Sequence, residues 1–358
     1  MDTRIAAGVL DHLRETGEIR CDLIAITWGL AGTRDVEYAR RVARSLGWEW
    51  VHLPLDAERL WANIEEAALR GCETTPVHLH GMALVRELPG IDLVAAASYG
   101  DSVGRAEYSR KHITQLRPFH HLTRNWFRLL KEEVYRASLS EIQSDIRRYR
   151  EIFPRQPGYP RNEIDQQVHY LRRKLNPCFS IITSRKPLYQ MFASPEMFGP
   201  VWALSPEVRG DGIYQHMLGR IHPSLSQIPW ARTGRSYVSL GTPRDDLPPL
   251  FHAYGRWLRG PLYNRLKQLV LSPAIEGLGI FNMHSLEVAL EVNRRVARQD
   301  GATKMDEVAA WIASLSIFVE RHGIRGVQAS SGLGDRLRPW LVTPFEVAGL
   351  QFARRLVN

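Results

Sequence analysis

An aspartate that follows a short apolar run and a glycine can hold a hard cation or close a turn, and Asp101 is such a residue. It comes after Leu93, Val94, Ala95, Ala96 and Ala97, then Ser98, Tyr99 and Gly100. Its place at the carboxyl edge of a sheet, where ligands of parallel sheets bind, favours the ligand over the turn. Asp2 opens an amphipathic segment, where a carboxylate complements a helix N-terminus. Thr27 and Trp28 end another apolar run, and an indole there serves either as a platform for a ligand ring or as core. Other candidates carry less. His78 and His80 are two apart, which places them on different faces of a helix and argues against a shared metal; His120 and His121 have no partner spacing either. Ser331, Gly332, Leu333, Gly334 and Asp335 are expected to be a plain loop, because no strand precedes them. Cys21, Cys72 and Cys178 are odd in number and far apart, with no Cys-x-x-Cys pair, and read as reduced structural residues.

These residues need elements to position them. Ile5, Val9, Leu10 and Leu13 recur at helical spacing over residues 2–16, with Gly17 as a stop. Leu23 to Ile26 is too short for a helix and fits a buried strand. Asp35 opens a helix that faces Val36, Ala39, Ala43 and Leu46 inward and closes at Gly47; Trp48 to Leu53 is the next strand. Helices over Asp56 to Leu69 and Pro76 to Leu88 lead to a third strand, Leu93 to Ala97. This alternation predicts an α/β fold, a parallel sheet with helices on both faces, and draws attention to the loops after Ile26 and Ala97. The series begins with a helix, although a nucleotide-anchoring βαβ unit begins with a strand. A strand upstream is therefore expected. Beyond about residue 115 helical periodicity dominates. Candidate breaks lie at Phe153 to Pro160 and Gly241 to Pro249, and the chain reads as an incomplete α/β region over 1–115, a helical part over 116–240 and a helical extension over 241–358.

Composition narrows the function classes. With 358 residues, 44% hydrophobic and 24% charged, the chain has ordinary globular proportions and is not disordered or a disulfide scaffold. No apolar stretch approaches a membrane span and no secretory leader is evident, so a cytoplasmic protein is expected. The formal charge of +9 is scattered through amphipathic segments without a long basic run, which speaks against nucleic acid as the partner. Six of the 47 basic residues are lysines, a scarcity that matters wherever a lysine is required.

Met1, Asp2, Thr3 and Arg4 resemble the back half of the Ser-Gly-Gly-Met-Asp-Ser-Arg pyrophosphate loop of the asparagine synthase family. Further features follow in family order. Ala25, Ile26, Thr27, Trp28 and Gly29 end a strand. Ala97, Ser98, Tyr99, Gly100 and Asp101 stand where the family has Gly-x-Gly-Gly-Asp-Glu. Arg185 and Pro187 resemble its Glu-x-Arg-x-Pro segment, and Pro229, Trp230, Ala231 and Arg232 its later arginine-containing turn. The resemblance covers about residues 1–240. It implies an adenine nucleotide alpha-hydrolase-like sheet, lacking its first strand, that binds ATP and Mg2+. A substrate carboxylate, aspartate or an analogue, would attack the α-phosphate and expel pyrophosphate; ammonia or another amine would then take the acyl group. By the same resemblance Asp2 and Asp101 are metal ligands and Arg185 is catalytic. Asp2, Thr3, Arg4, Ile26, Thr27, Trp28, Ala97, Gly100 and Asp101 would line the nucleotide.

The chain departs from the family in several places. The front of the pyrophosphate loop and the glutaminase domain are not in this sequence, so ammonia from glutamine would need a separate glutaminase domain or protein. The glutamate of Glu-x-Arg-x-Pro aligns with Thr183 and the following aspartate with Gln190. No lysine stands between Lys186 and Lys267, where the family's pyrophosphate lysine belongs, and arginine is a differently shaped donor. Three activities stay open on these residues: an asparagine synthase, a related ligase acting on another carboxylate in the manner of β-lactam synthetases or lasso-peptide cyclases, and a non-catalytic nucleotide-binding or interaction module.

Overall fold

A computed structural model describes residues 2–104, 124–153, 158–205, 207–236, 245–326 and 342–349. His120, His121, Ser331 to Asp335, the boundary at 115, residues 154–157 and residues 241–244 lie outside the described residues. The elements in chain order are α1 (Asp2–Glu15), β1 (Ile24–Gly29), α2 (Arg34–Ser45), β2 (Glu49–Pro54), α3 (Ala57–Leu69), α4 (Met82–Glu87) and β3 (Val94–Ala96). Then follow α5 (Glu132–Ile152), α6 (Gly158–Asp165), α7 (Asn176–Thr183), β4 (Leu188–Gln190), α8 (Pro195–Ala203), α9 (Asp211–Ile221) and α10 (Pro223–Gln227). The C-terminal part holds α11 (Tyr254–Arg259), α12 (Tyr263–Val270), α13 (Pro273–Gly277), α14 (Met283–Val296) and α15 (Lys304–His322).

The expected α/β alternation is present, and the described strands pair in parallel. They form two pairs. β1 lies beside β2, with Ile24 opposite Glu49 and Gly29 opposite Pro54. β3 lies beside β4, with Val94 opposite Leu188 and Ala96 opposite Gln190. β4 lies in the second half, which the sequence marks as mainly helical: three residues carry too little periodicity to announce a strand, and this one is defined by pairing with β3. The helix expected over Pro76 to Leu88 is interrupted. A single 3-10 turn at Pro76–His78 is followed by His80 at φ 45°, and only then does α4 begin.

The buried side of α1 also differs from the expected stripe. Arg4, Ile5, Ala7, Gly8 and Asp11 are buried, whereas Leu13 is half-buried. Small residues let α9 and α10 approach: a Cβ on Gly8 would already touch Leu225 and Leu218. Asp11 tolerates burial because its carboxylate accepts from Trp48 Nε1 at 2.8 Å and Arg14 at 2.6 Å.

α4 and α7 pack one hydrophobic cluster against both strand pairs, joining Met82, Val85, Cys178 and Ile181 to Ile26, Trp28, Val94 and Leu188. A second cluster, with Ile5, Leu46 and Leu218, reaches Trp48, Ala97 and Tyr99. The largest joins Leu60 and Ile64 of α3 to Leu258, Leu262, Ala309 and Ala313 in the C-terminal helices, so the extension over 241–358 packs against the α/β part. Each fully buried leucine or isoleucine contributes about 1.5–3 kcal/mol of transfer free energy to that contact.

Candidate functional site

The carboxyl ends of β3 and β4 face the same way, and the chain leaving β3 folds into a wide helical turn over Gly100–Gly104. Tyr99 enters it at φ 71°. Inside the turn, Val103 N donates to Tyr99 O at 2.7 Å, and Ser102 N donates to Asp101 Oδ1 at 2.7 Å. Both glycines are required sterically. A Cβ on Gly100 would lie 2.5 Å from Asp2 Cβ, and one on Gly104 would lie 1.8 Å from the Tyr214 hydroxyl. The fully buried Tyr214 donates to Gly100 O at 2.9 Å, and Arg209 donates to Val103 O at 3.1 Å and to Glu163 at 2.6 Å. The turn is held at both ends by side chains from the helical region.

This arrangement brings Asp2, Ala97, Gly100 and Asp101 together, with the exposed Thr3 beside Asp2 at the start of α1. It does not bring the rest. Arg4 is buried and turned toward the other end of the α9–α10 segment, where it donates to Leu225 O, Ile228 O and Pro229 O at 3.2, 2.5 and 2.7 Å. There it ties α1 to the Pro229–Arg232 turn. Arg185 precedes β4 and so stands at the amino end of the pair, where it is ion-paired with Glu87 at the end of α4. Lys186 is at the same edge, donating to Leu88 O at 2.6 Å. Ile26, Thr27 and Trp28 belong to the other strand pair. Gln190, in contrast, is the last residue of β4 beside Ala96, and its amide Oε1 and Nε2 are buried with no hydrogen-bond partner among the described residues. Nothing in the local sequence marks that role; pairing with β3 creates it.

The residues present fit one half of a Mg-ATP site. Two carboxylates on adjoining elements are hard oxygen donors suited to Mg2+, and the first turn of α1 has N–H groups that no intrahelical bond uses. The Gly100–Gly104 turn fits less well as a phosphate cradle, because the N–H groups of Gly100, Ser102 and Val103 donate within the turn and its approach.

A different cluster forms where β1 ends. The His80 ring stacks with Trp28 at 6.1 Å, His78 at 6.5 Å, His252 at 6.3 Å and Tyr254 at 5.8 Å between ring centroids. His80 Nδ1 and the Tyr254 hydroxyl are 2.9 Å apart. Burial among rings lowers the pKa of His80 to about 3, and that of His78 and His252 to about 4, so all three are neutral near pH 7. The sequence expectation that His78 and His80 diverge assumed a helix through both. The reversal at His80 puts their rings together instead. Trp28 packs with two hydrophobic clusters, and a Cβ on Gly81 would lie 2.8 Å from its Cβ. Among the described residues, one trio of side chains approaches closely enough to share an ion, Asp11, Glu15 and His222. Asp11 there already accepts from Trp48, Arg14 and His222, which accounts for the cluster as a structural tie between α1 and α10.

No protein-family model matches the chain, and no curated protein matches it.

Proposed function

We propose that the protein is an ATP-dependent amide-forming ligase similar to asparagine synthase, built on an adenine nucleotide alpha-hydrolase-like sheet. The observation that carries this reading is the contact of Asp2, at the start of α1, with Gly100, immediately before Asp101 at the carboxyl end of β3. That contact puts Asp2 and the Asp101 turn on adjoining elements at the sheet edge where α/β folds bind ligands. Asp2 and Asp101 would hold Mg2+, which when bound neutralises charge on the phosphates. Thr3 and the first turn of α1 would orient the phosphate chain, and the orphaned Gln190 amide would read a polar group of the carboxylate substrate. The substrate carboxylate attacks the α-phosphorus, the bond to the bridging oxygen breaks, and pyrophosphate leaves; an amine then displaces AMP. Positioning and charge stabilisation carry such chemistry. The ammonia would come from a separate glutaminase domain or protein, and a cytoplasmic setting belongs to the same proposal. Among the described residues, no helix is long and apolar enough to cross a membrane.

A second reading, a nucleotide-binding module without ligase activity, is favoured by the engagement of Arg4 with carbonyls and of Arg185 at the opposite edge. Mg-ATP-pyrophosphate exchange, screened over aspartate and other carboxylic acids, separates the two. Acid-dependent exchange supports the ligase and identifies its acid. Nucleotide binding without exchange supports the module, and neither binding nor exchange overturns both.

A further inference from the structure

We propose that Ser224 is an acyl-accepting nucleophile, with His222 as its general base and Asp11 as the residue that positions the imidazole. The site is separate from the Asp2–Asp101 edge, because Asp11 lies about 14 Å along α1 from Asp2, and the inference stands whether or not the protein binds a nucleotide. Three parts of the fold build it. α1 supplies Asp11, the junction of α9 and α10 supplies His222, and Ser224 stands in α10 with Ser45, the last residue of α2, beside it. The backbone of His222 is fixed on both sides: its N–H donates to Leu218 O at 2.9 Å and its carbonyl accepts from Leu225 N at 3.0 Å. Gly8 lets it lie close to α1, since a Cβ there would already be 3.7 Å from His222 Cβ.

The hydrogen bonds run in one direction. A carboxylate only accepts, so the 2.8 Å contact of His222 Nε2 with Asp11 Oδ2 puts a proton on Nε2. In the neutral ring Nδ1 then carries a lone pair, and it faces Ser224 Oγ at 3.5 Å. Ser45 Oγ donates to Ser224 Oγ at 3.2 Å, which leaves the hydrogen of Ser224 for Nδ1. The other oxygen of Asp11 accepts from Trp48 Nε1 at 2.8 Å and Arg14 at 2.6 Å. Nucleophile, base and orienting acid are thus linked as in an acyl-transfer triad, with the two imidazole nitrogens in exchanged roles. The contact at Ser224 is looser than in an engaged pair, as is common before substrate binds. Burial is graded along the chain of bonds: Asp11 is 2% exposed, His222 is half-buried and Ser224 is exposed. The charge that stabilises an imidazolium is shielded from water while the nucleophile meets its substrate. The exposed Glu15, within 4.8 Å of the same Asp11 and His222 atoms, adds to that stabilisation, and Arg14 works against it. The substrate class is a small, accessible carboxylic ester. Ser224 Oγ attacks the carbonyl carbon as its proton passes to His222 Nδ1; the bond to the leaving alkoxide oxygen breaks, and the alcohol departs with that proton. Water, deprotonated by the same nitrogen, then splits the acyl-serine and releases the acid. The Ser45 hydroxyl is the neighbouring donor for the oxyanion.

The test treats the full chain with an alkyl fluorophosphonate, which phosphonylates activated serines, and with p-nitrophenyl acetate as the ester. The expected result is an adduct that mass spectrometry maps to Ser224, absent from Ser224→Ala and from the urea-unfolded chain, and ester hydrolysis that Ser224→Ala removes. His222→Gln should slow adduct formation at least about 100-fold, with thermal melts alongside. The role of Asp11 is read from nitrogen NMR of the histidine rings: the parent should carry its His222 proton on Nε2, and Asp11→Asn should lose that preference and label at least about tenfold more slowly. If either variant fails to fold, the comparison of the parent with Ser224→Ala and with the unfolded chain decides. No adduct at Ser224, labelling as fast in the unfolded chain, a labelling rate untouched in folded His222→Gln, or a neutral His222 protonated on Nδ1 would each overturn the proposal.

Discussion

Gly104 and Tyr214 offer a test of how the turn after β3 is held. A methyl group at position 104 would lie 1.8 Å from the Tyr214 hydroxyl and 2.8 Å from its Cζ, so the buried ring must move. Overpacking of this kind costs about 1–3 kcal/mol. Displacement also breaks the 2.9 Å bond from Tyr214 to Gly100 O, worth a further ~1 kcal/mol, so Gly104→Ala is expected to lose about 2–4 kcal/mol. Tyr214→Phe alone loses about 1–2 kcal/mol, because the Gly100 carbonyl forfeits its donor. In the double variant the closest clash has gone and the hydrogen bond is lost once, not twice. The double variant is therefore expected to be at least ~1 kcal/mol more stable than the sum of the two losses predicts. Urea unfolding of the four proteins, read as a shift in midpoint at unchanged slope, measures this coupling. Losses that add within ~0.5 kcal/mol would refute the argument that Tyr214 and Gly104 meet, and with it the account of how Asp101 is positioned.

Three further outcomes follow from the same geometry. Asp101→Asn should weaken Mg-ATP binding at least about tenfold while leaving the melting temperature within a few degrees, measured by isothermal titration and thermal melts; unchanged affinity would make Asp101 a turn residue only. Gln190→Met should raise stability by about 1–2 kcal/mol, because it removes two buried atoms without partners, and should abolish acid-dependent pyrophosphate exchange if exchange is present in the parent. Destabilisation would show that the amide is satisfied. The pKa of His80 is depressed to about 3, so its contribution is complete above the ordinary histidine value near 6.5 and is lost as pH falls below it, at up to about 1.4 kcal/mol per pH unit. His80→Asn, which tolerates the positive φ, should flatten the acid limb of a stability-pH profile between pH 6 and 4. An unaltered limb would contradict the burial of that ring.

How far the residues alone reach depends on the range of the interaction. Strands β1 and β2 with helices α1, α2 and α3 were legible because hydrophobic period and caps are local: Asp56 caps α3 through Arg59 N at 2.7 Å, three residues away. The turn after β3 was also legible, since Gly100 and Asp101 after an apolar run form a local pattern. Its surroundings were not. β4 is a strand only because Leu188, Tyr189 and Gln190 find β3 more than ninety residues earlier in the chain. His80 leaves helical geometry where Trp28, His252 and Tyr254 enclose its ring. Arg4 and Arg185, both expected at the nucleotide, are taken by carbonyls more than 220 residues away and by Glu87 at the opposite edge. The sequence by itself determined the α/β alternation and the carboxylate-bearing turn, because backbone propensity and periodicity act within a few residues. Which charges are spent on structure, which polar groups are left buried and which strands share an edge were decided by tertiary packing, because the desolvation and hydrogen-bond terms that govern them depend on partners that only folding brings near.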